Sequence, residues 1–199
     1  MKNKAIFLDR DGVINKLVYQ KEEGIIDTPF SESQLEVARY VPDAILELRN
    51  AGYKIIIVSN QPGIAKGYYT KDTFEKIQAK MRQILEKKNA MVDDEFYCLH
   101  HPDAKNPKYK KRCSCRKPGI GMITKAAKTH KIDIKNSYFI GDGVVDLQAA
   151  KKAGCPSILI GNVNSTLTKI LKEKKLEPAY IAHDLMEAAE FITQRQTLD

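Results

Sequence analysis

At 199 residues with 43% hydrophobic content, the chain has enough apolar material for one domain-sized core. Its net charge of +8 suits either nucleic acid or a small polyanionic ligand. The first apolar run, Ala5 to Leu8, is too short for a signal sequence, and no stretch approaches a membrane span. These features lead us to expect a cytoplasmic monomer built as one domain over residues 1–199, with cysteines serving as thiols or metal ligands.

In chain order, Lys4-Ala5-Ile6-Phe7-Leu8 reads as a buried strand that ends in Asp9-Arg10-Asp11-Gly12. Residues 15–40, with Gly24 and Pro29, carry no clear periodicity. A helix then starts at Pro42, buries Ala44, Ile45 and Leu48 on one face, and stops before Gly52. Lys54 to Val58 is rich in β-branched residues and predicts a second strand, ending at Ser59-Asn60. A longer helix follows from Thr70, with Phe74, Ile77, Met81, Ile84 and Leu85 at helical spacing and Asp72 favourably placed in the first turn.

Glu95 to Cys98 reads as the next strand, and Leu99 to Gly121 as a long loop rich in Lys, Pro and Cys. Met122 to Lys131 predicts a helix, Ser137 to Ile140 a strand, and Val144 to Ala153 a helix closed by Gly154. Strands at Ser157–Ile160 and Ala179–Ala182 follow, and Asp184 caps a last helix that runs through Phe191. This alternation predicts an α/β, Rossmann-like three-layer sandwich with a mostly parallel sheet. Ligands are then expected beyond the carboxyl ends of the strands, walled by the two unassigned segments.

Polar clusters terminate elements at that edge: Asp9 and Asp11, Ser59 and Asn60, Lys117 in the loop, and Gly141-Asp142. Together they supply the parts of phosphoryl transfer, namely a carboxylate nucleophile, an acid–base group, a hydroxyl and a cation for phosphate oxygens, and carboxylates for a hard divalent ion. Magnesium is the expected ion, because carboxylates alone would repel a phosphate.

A second constellation pairs Cys98-x-His100 with Cys113-x-Cys115, the ligand types of a closed tetrahedral zinc site. His101 is the alternative to His100, and Cys155 reads as a buried thiol outside the site. Such a site would be structural, and through Cys115 it would fix the adjoining Arg116 and Lys117. The basic residues Lys105, Lys108, Lys110, Lys111, Arg112, Arg116 and Lys117 crowd into this one loop. That distribution fits a local anion site, with Lys105 to Lys111 solvating the loop, better than a nucleic-acid face.

Phe7 to Gly12, Ser59, Lys117 and Gly141-Asp142, in that order, resemble the haloacid dehalogenase superfamily. Ser59 to Gly67, Cys98 to Pro102 and Cys113 to Pro118 resemble its heptose 1,7-bisphosphate phosphatase branch, with histidinol-phosphate phosphatases as the near alternative. The resemblance implies a minimal cap and a zinc loop at about residues 98–117. It further implies that Asp9 attacks phosphorus and that Asp11 is the general acid and base. Ser59 and Lys117 would hold the phosphoryl oxygens, Asn60 and Arg116 would contact substrate, and Mg²⁺ would be bound by Asp9, the Asp11 carbonyl and Asp142. Asp146 is expected to support that shell or cap its helix. Two departures bear on specificity: Gly143 stands where relatives commonly carry a lysine, and residues 16–38 replace a shorter loop. The partner implied is a small phosphorylated sugar, with no nucleic acid and no membrane.

Overall fold

The computed structural model describes residues 2–162 and 164–196. Strands β1 (Lys4–Leu8), β2 (Val18–Gln20) and β3 (Ile25–Asp27) precede helix α1 (Val41–Asn50). Strand β4 (Tyr53–Asn60), the single turn α2 (Gly63–Lys66), α3 (Lys71–Glu86) and β5 (Asp94–Cys98) follow. The second half comprises α4 (Gly121–His130), β6 (Tyr138–Gly141), α5 (Val144–Ala153), β7 (Ser157–Ile160), α6 (Ser165–Glu173), β8 (Tyr180–Ala182) and α7 (Leu185–Gln196).

Six strands form one sheet in the order β5-β4-β1-β6-β7-β8, and every neighbouring pair is parallel. Alternation along β1 shows how two layers are recruited: Ile6 and Leu8 pack with α1, α3 and α7, whereas Ala5 and Phe7 pack with α4 and α5. A strand buried on both faces is therefore apolar at every position, which is why its sequence reads as a continuous run. After β1 the chain moves to β4 and β5 on one flank, then returns to β6 on the other. The carboxyl ends of β1 and β6 thus meet at the topological switch point, the place where open α/β sheets bind their ligands.

The expected strands and helices are found with ends shifted by a few residues, and the last helix runs on to Gln196. Thr70 accepts from the Thr73 amide, and Asp184 accepts from the amides of Met186 and Glu187, as capping residues. The unassigned 15–40 segment contains the antiparallel β2–β3 hairpin. Helix α6 was not anticipated, although Asn164 caps it and Leu167, Ile170 and Leu171 recur at helical spacing. Among the described residues no helix is long and apolar enough to cross a membrane.

Candidate active site

Asp9 leaves β1 and Asp142 leaves β6, and with Asp146 from the first turn of α5 they form a cluster whose carboxylate oxygens lie within 4.8 Å of one another. The approach is tight enough to dictate glycine at two positions. Gly12 has φ +78°, and a Cβ there would stand 2.0 Å from the Asp142 Oδ2; a Cβ on Gly141 would stand 2.4 Å from the Asp146 Cβ.

Lys117 reaches this cluster from the loop, buried to 3% exposure. Its Nζ lies 2.9 Å from Asp9 Oδ1 and 2.6 Å from Asp146 Oδ1, and donates to the Val58 carbonyl at 2.9 Å. Burial alone would lower its pKa, but the two carboxylates outweigh that cost and raise it. The cation is insufficient for three acids. Burial, then Asp9 and Asp146, push Asp142 up to about 7, and burial leads in pushing Asp146 up to about 6. An all-oxygen cluster this short of positive charge fits a hard divalent cation. Asp146 also accepts from the Gly143 amide at 3.0 Å, so it caps α5 while it joins the cluster.

Asp11 lies apart from these three. Its Oδ1 accepts from Arg10 Nη2 at 2.8 Å, Thr28 Oγ1 at 2.7 Å and Asn15 Nδ2 at 3.0 Å, and its Oδ2 from Gln61 Nε2 at 2.5 Å. Burial works against its charge, but Arg10 and these donors prevail and lower its pKa. Arg10 is fully buried and also donates to the Thr28 hydroxyl.

The expected phosphate-binding residues fall at the same edge. Ser59 is buried at the end of β4, and its Oγ accepts from Gln61 at 3.1 Å. Asn60, for which the resemblance implied a substrate contact, donates to the Lys117 carbonyl at 3.1 Å and accepts from the Lys117 amide at 2.9 Å. Asn60 therefore clamps the peptide that carries the buried lysine. Arg116 makes a long bond, 3.4 Å, to the His100 carbonyl. Sequence reasoning missed Arg10, Asn15, Thr28 and Gln61. Arg10 and Gln61 lie inside motifs already singled out, whereas nothing in the sequence marks Thr28.

Cys98, His100, Cys113 and Cys115 form the second cluster. Their sulfurs are 3.1 to 3.5 Å apart, and His100 Nδ1 is 3.4 Å from Cys115 and 3.8 Å from Cys98. Tetrahedral coordination with bonds of about 2.3 Å requires separations of about 3.8 Å between sulfurs. The four side chains are thus nearly in place for one metal ion. His101 is turned away and accepts from the Asp103 amide, which favours His100 as the fourth member. Cys155 is buried in the core formed with α4 and α5, its thiol pushed up to about 12 by burial.

A family model described as "HAD-hyrolase-like" matches residues 114–188. The chain is 40% identical over 158 residues to D-glycero-alpha-D-manno-heptose-1,7-bisphosphate 7-phosphatase of Photorhabdus laumondii, covering 78% of this chain and 80% of that one. The chain belongs to the haloacid dehalogenase superfamily of phosphatases. A beta-anomer 7-phosphatase of Haemophilus influenzae is 41% identical over 147 residues, covering 74% and 75% of the two chains. Among solved structures, the D,D-heptose 1,7-bisphosphate phosphatase from B. bronchiseptica, complexed with magnesium and phosphate, superposes on this phosphatase with a TM-score of 0.78. That pair is 32% identical, with 96% of this chain and 99% of the other covered. The phosphatase is accordingly a phosphoric monoester hydrolase.

Proposed function

We propose that this phosphatase removes the C7 phosphate of D-glycero-D-manno-heptose 1,7-bisphosphate through a phosphoaspartate on Asp9. The reading is carried by the buried Lys117 that bridges Asp9 and Asp146 beside Asp142 at the switch point. Lys117 and the Arg10 amide both bond Asp9 Oδ1, which fixes the carboxylate for in-line attack. The bond from Asp9 to phosphorus forms as the bond from phosphorus to the sugar oxygen breaks, and Asp11 gives that oxygen a proton. Water then attacks phosphorus and gives its proton to Asp11, which frees Asp9. The lowered Asp11 pKa favours the ionised form, which serves as base; acid duty requires it to take up a proton when the phosphate dianion enters. Ser59 and Lys117 bind the phosphoryl oxygens.

Asp9, Asp142 and the Asp11 carbonyl would hold Mg²⁺, with Asp146 behind them; when bound, Mg²⁺ offsets the charge of phosphate and carboxylates. Asp142 and Asp146, raised to about 7 and about 6, retain protons that the cation must displace. Raised carboxylate pKa values stabilise the fold at low pH, and this contribution is lost as pH rises through 6 to 7. Mg²⁺ is thus expected to raise the Tm more at pH 8 than at pH 6, with an apparent affinity up to about tenfold higher per pH unit gained. Equal Tm shifts at both pH values would count against this site.

The four-ligand cluster would hold a structural Zn²⁺. One zinc per chain is expected by metal analysis, and Cys115→Ser should lower turnover by about tenfold or more by loosening the adjoining Arg116 and Lys117. A fully active, zinc-free Cys115→Ser protein would contradict that role.

The heptose assignment is supported by the relatives and by the similar solved structure. The test is kcat/KM for both anomers of heptose 1,7-bisphosphate against histidinol phosphate and fructose 1,6-bisphosphate. We expect about 100-fold or more in favour of one heptose anomer; equal rates on all four would remove the substrate assignment.

A further inference from the structure

The β2–β3 hairpin, which occupies the stretch where the chain departs from its relatives, is built around Thr28. This residue is 4% exposed and lies 17 positions from Asp11 in the chain, yet its hydroxyl donates to Asp11 Oδ1 at 2.7 Å and accepts from Arg10. A hydroxyl has one proton and two lone pairs, so it joins the guanidinium and the carboxylate in one network.

The backbone of Thr28 is held as closely as its side chain. Its amide donates to Asp27 Oδ1 at 2.8 Å, and its carbonyl accepts from Gln20 Nε2 at 2.9 Å. Gln20, 4% exposed, pairs reciprocally with Gln34 at 3.0 and 3.2 Å, and Gln34 also accepts from the Phe30 amide at 2.7 Å. Phe30 then stacks on Tyr68 with ring centroids 4.6 Å apart. Burying this many polar groups is unfavourable unless they are hydrogen-bonded, and the bonds restrict the side chains that make them; Arg10 Nη1 and Asn15 Oδ1 are buried without a partner. Gln61 confines Asp11 Oδ2 from the opposite side, while Thr28 and Asn15 confine Oδ1.

We propose that Thr28 is a positioning residue for the acid–base group: the hairpin delivers its hydroxyl to fix the Asp11 rotamer from which the leaving oxygen is protonated. The proposal rests on Asp11 being that group, as argued above. It gives the longer 16–38 segment a task in catalysis through Asp11, without contact between Thr28 and the reacting atoms.

The test exploits leaving-group chemistry, because a sugar oxygen needs a proton as it departs whereas p-nitrophenolate does not. Thr28→Val keeps the side-chain shape and removes the hydroxyl, Thr28→Ser restores it, and Thr28→Ala is a smaller hydroxyl-free variant should valine misfold. The readout is kcat/KM for heptose bisphosphate divided by that for p-nitrophenyl phosphate, which reports the phosphoryl-transfer half of the reaction. This ratio is expected to fall about tenfold or more in Thr28→Val and Thr28→Ala and to recover within about threefold in Thr28→Ser. An unchanged ratio in the hydroxyl-free variants, with Asp11→Asn still lowering it steeply, would overturn the role of Thr28 alone. An unchanged ratio in Asp11→Asn would overturn the acid–base reading beneath it.

Discussion

Asp9→Asn is expected to reduce phosphate release by about 10⁴-fold or more, with the folded state retained. The amide is close in shape to the carboxylate but lacks the nucleophilic charge. It also removes one of the acids that Lys117 bridges and one of three carboxylates in the cluster. Because Asp9 helps to push Asp142 up to about 7, the same change should bring Asp142 down toward the ordinary carboxylate range. Phosphate release, with circular dichroism to verify folding, measures the first effect, and a pH titration of Asp142 by NMR measures the second. Substantial residual turnover in Asp9→Asn would place the nucleophile elsewhere.

Lys117→Met is expected to lose activity by about 10²–10³-fold and stability by about 3–5 kcal/mol, since it removes a cation buried between Asp9 and Asp146. Methionine fills much of the space but leaves the carboxylates uncompensated. The stability loss should be larger in EDTA than in Mg²⁺, because a bound divalent cation would offset the same negative charge. Denaturant melts under the two conditions check this directly. A loss of stability identical in EDTA and Mg²⁺ would mean that lysine and metal do not act on a shared set of charges.

The sheet and most of the site were legible because each strand end carries its own signal. Apolar runs such as Ala5 to Leu8 and Ile55 to Val58 stop at polar residues, and burial on both faces of the sheet makes those runs continuous. Parallel strands then bring their carboxyl ends to one edge, so Asp9, Ser59 and Asp142 meet without any further rule. Asp146 was ambiguous between cap and site because both roles use the same position of the helix, and it fills both.

The β2–β3 hairpin was illegible for the opposite reason. Its strands have three residues each, and Tyr19 and Ile26, facing one another across them, are 61% and 69% exposed. No apolar periodicity marks such an element; hydrogen bonds among Gln20, Thr28 and Gln34 hold it, and these arise only once the chain is folded. The bonds from Asn60 to the Lys117 peptide were not legible either, because they join residues 57 positions apart that meet only in the folded chain.

The most direct test of the central claim is the stereochemical course at phosphorus, followed with a heptose bisphosphate analogue whose C7 group is a phosphorothioate made chiral with ¹⁶O and ¹⁸O and hydrolysed in H₂¹⁷O. Two successive in-line displacements, first by Asp9 and then by water, predict overall retention of configuration; inversion would mean that water attacks the substrate directly and that Asp9 never carries the phosphoryl group.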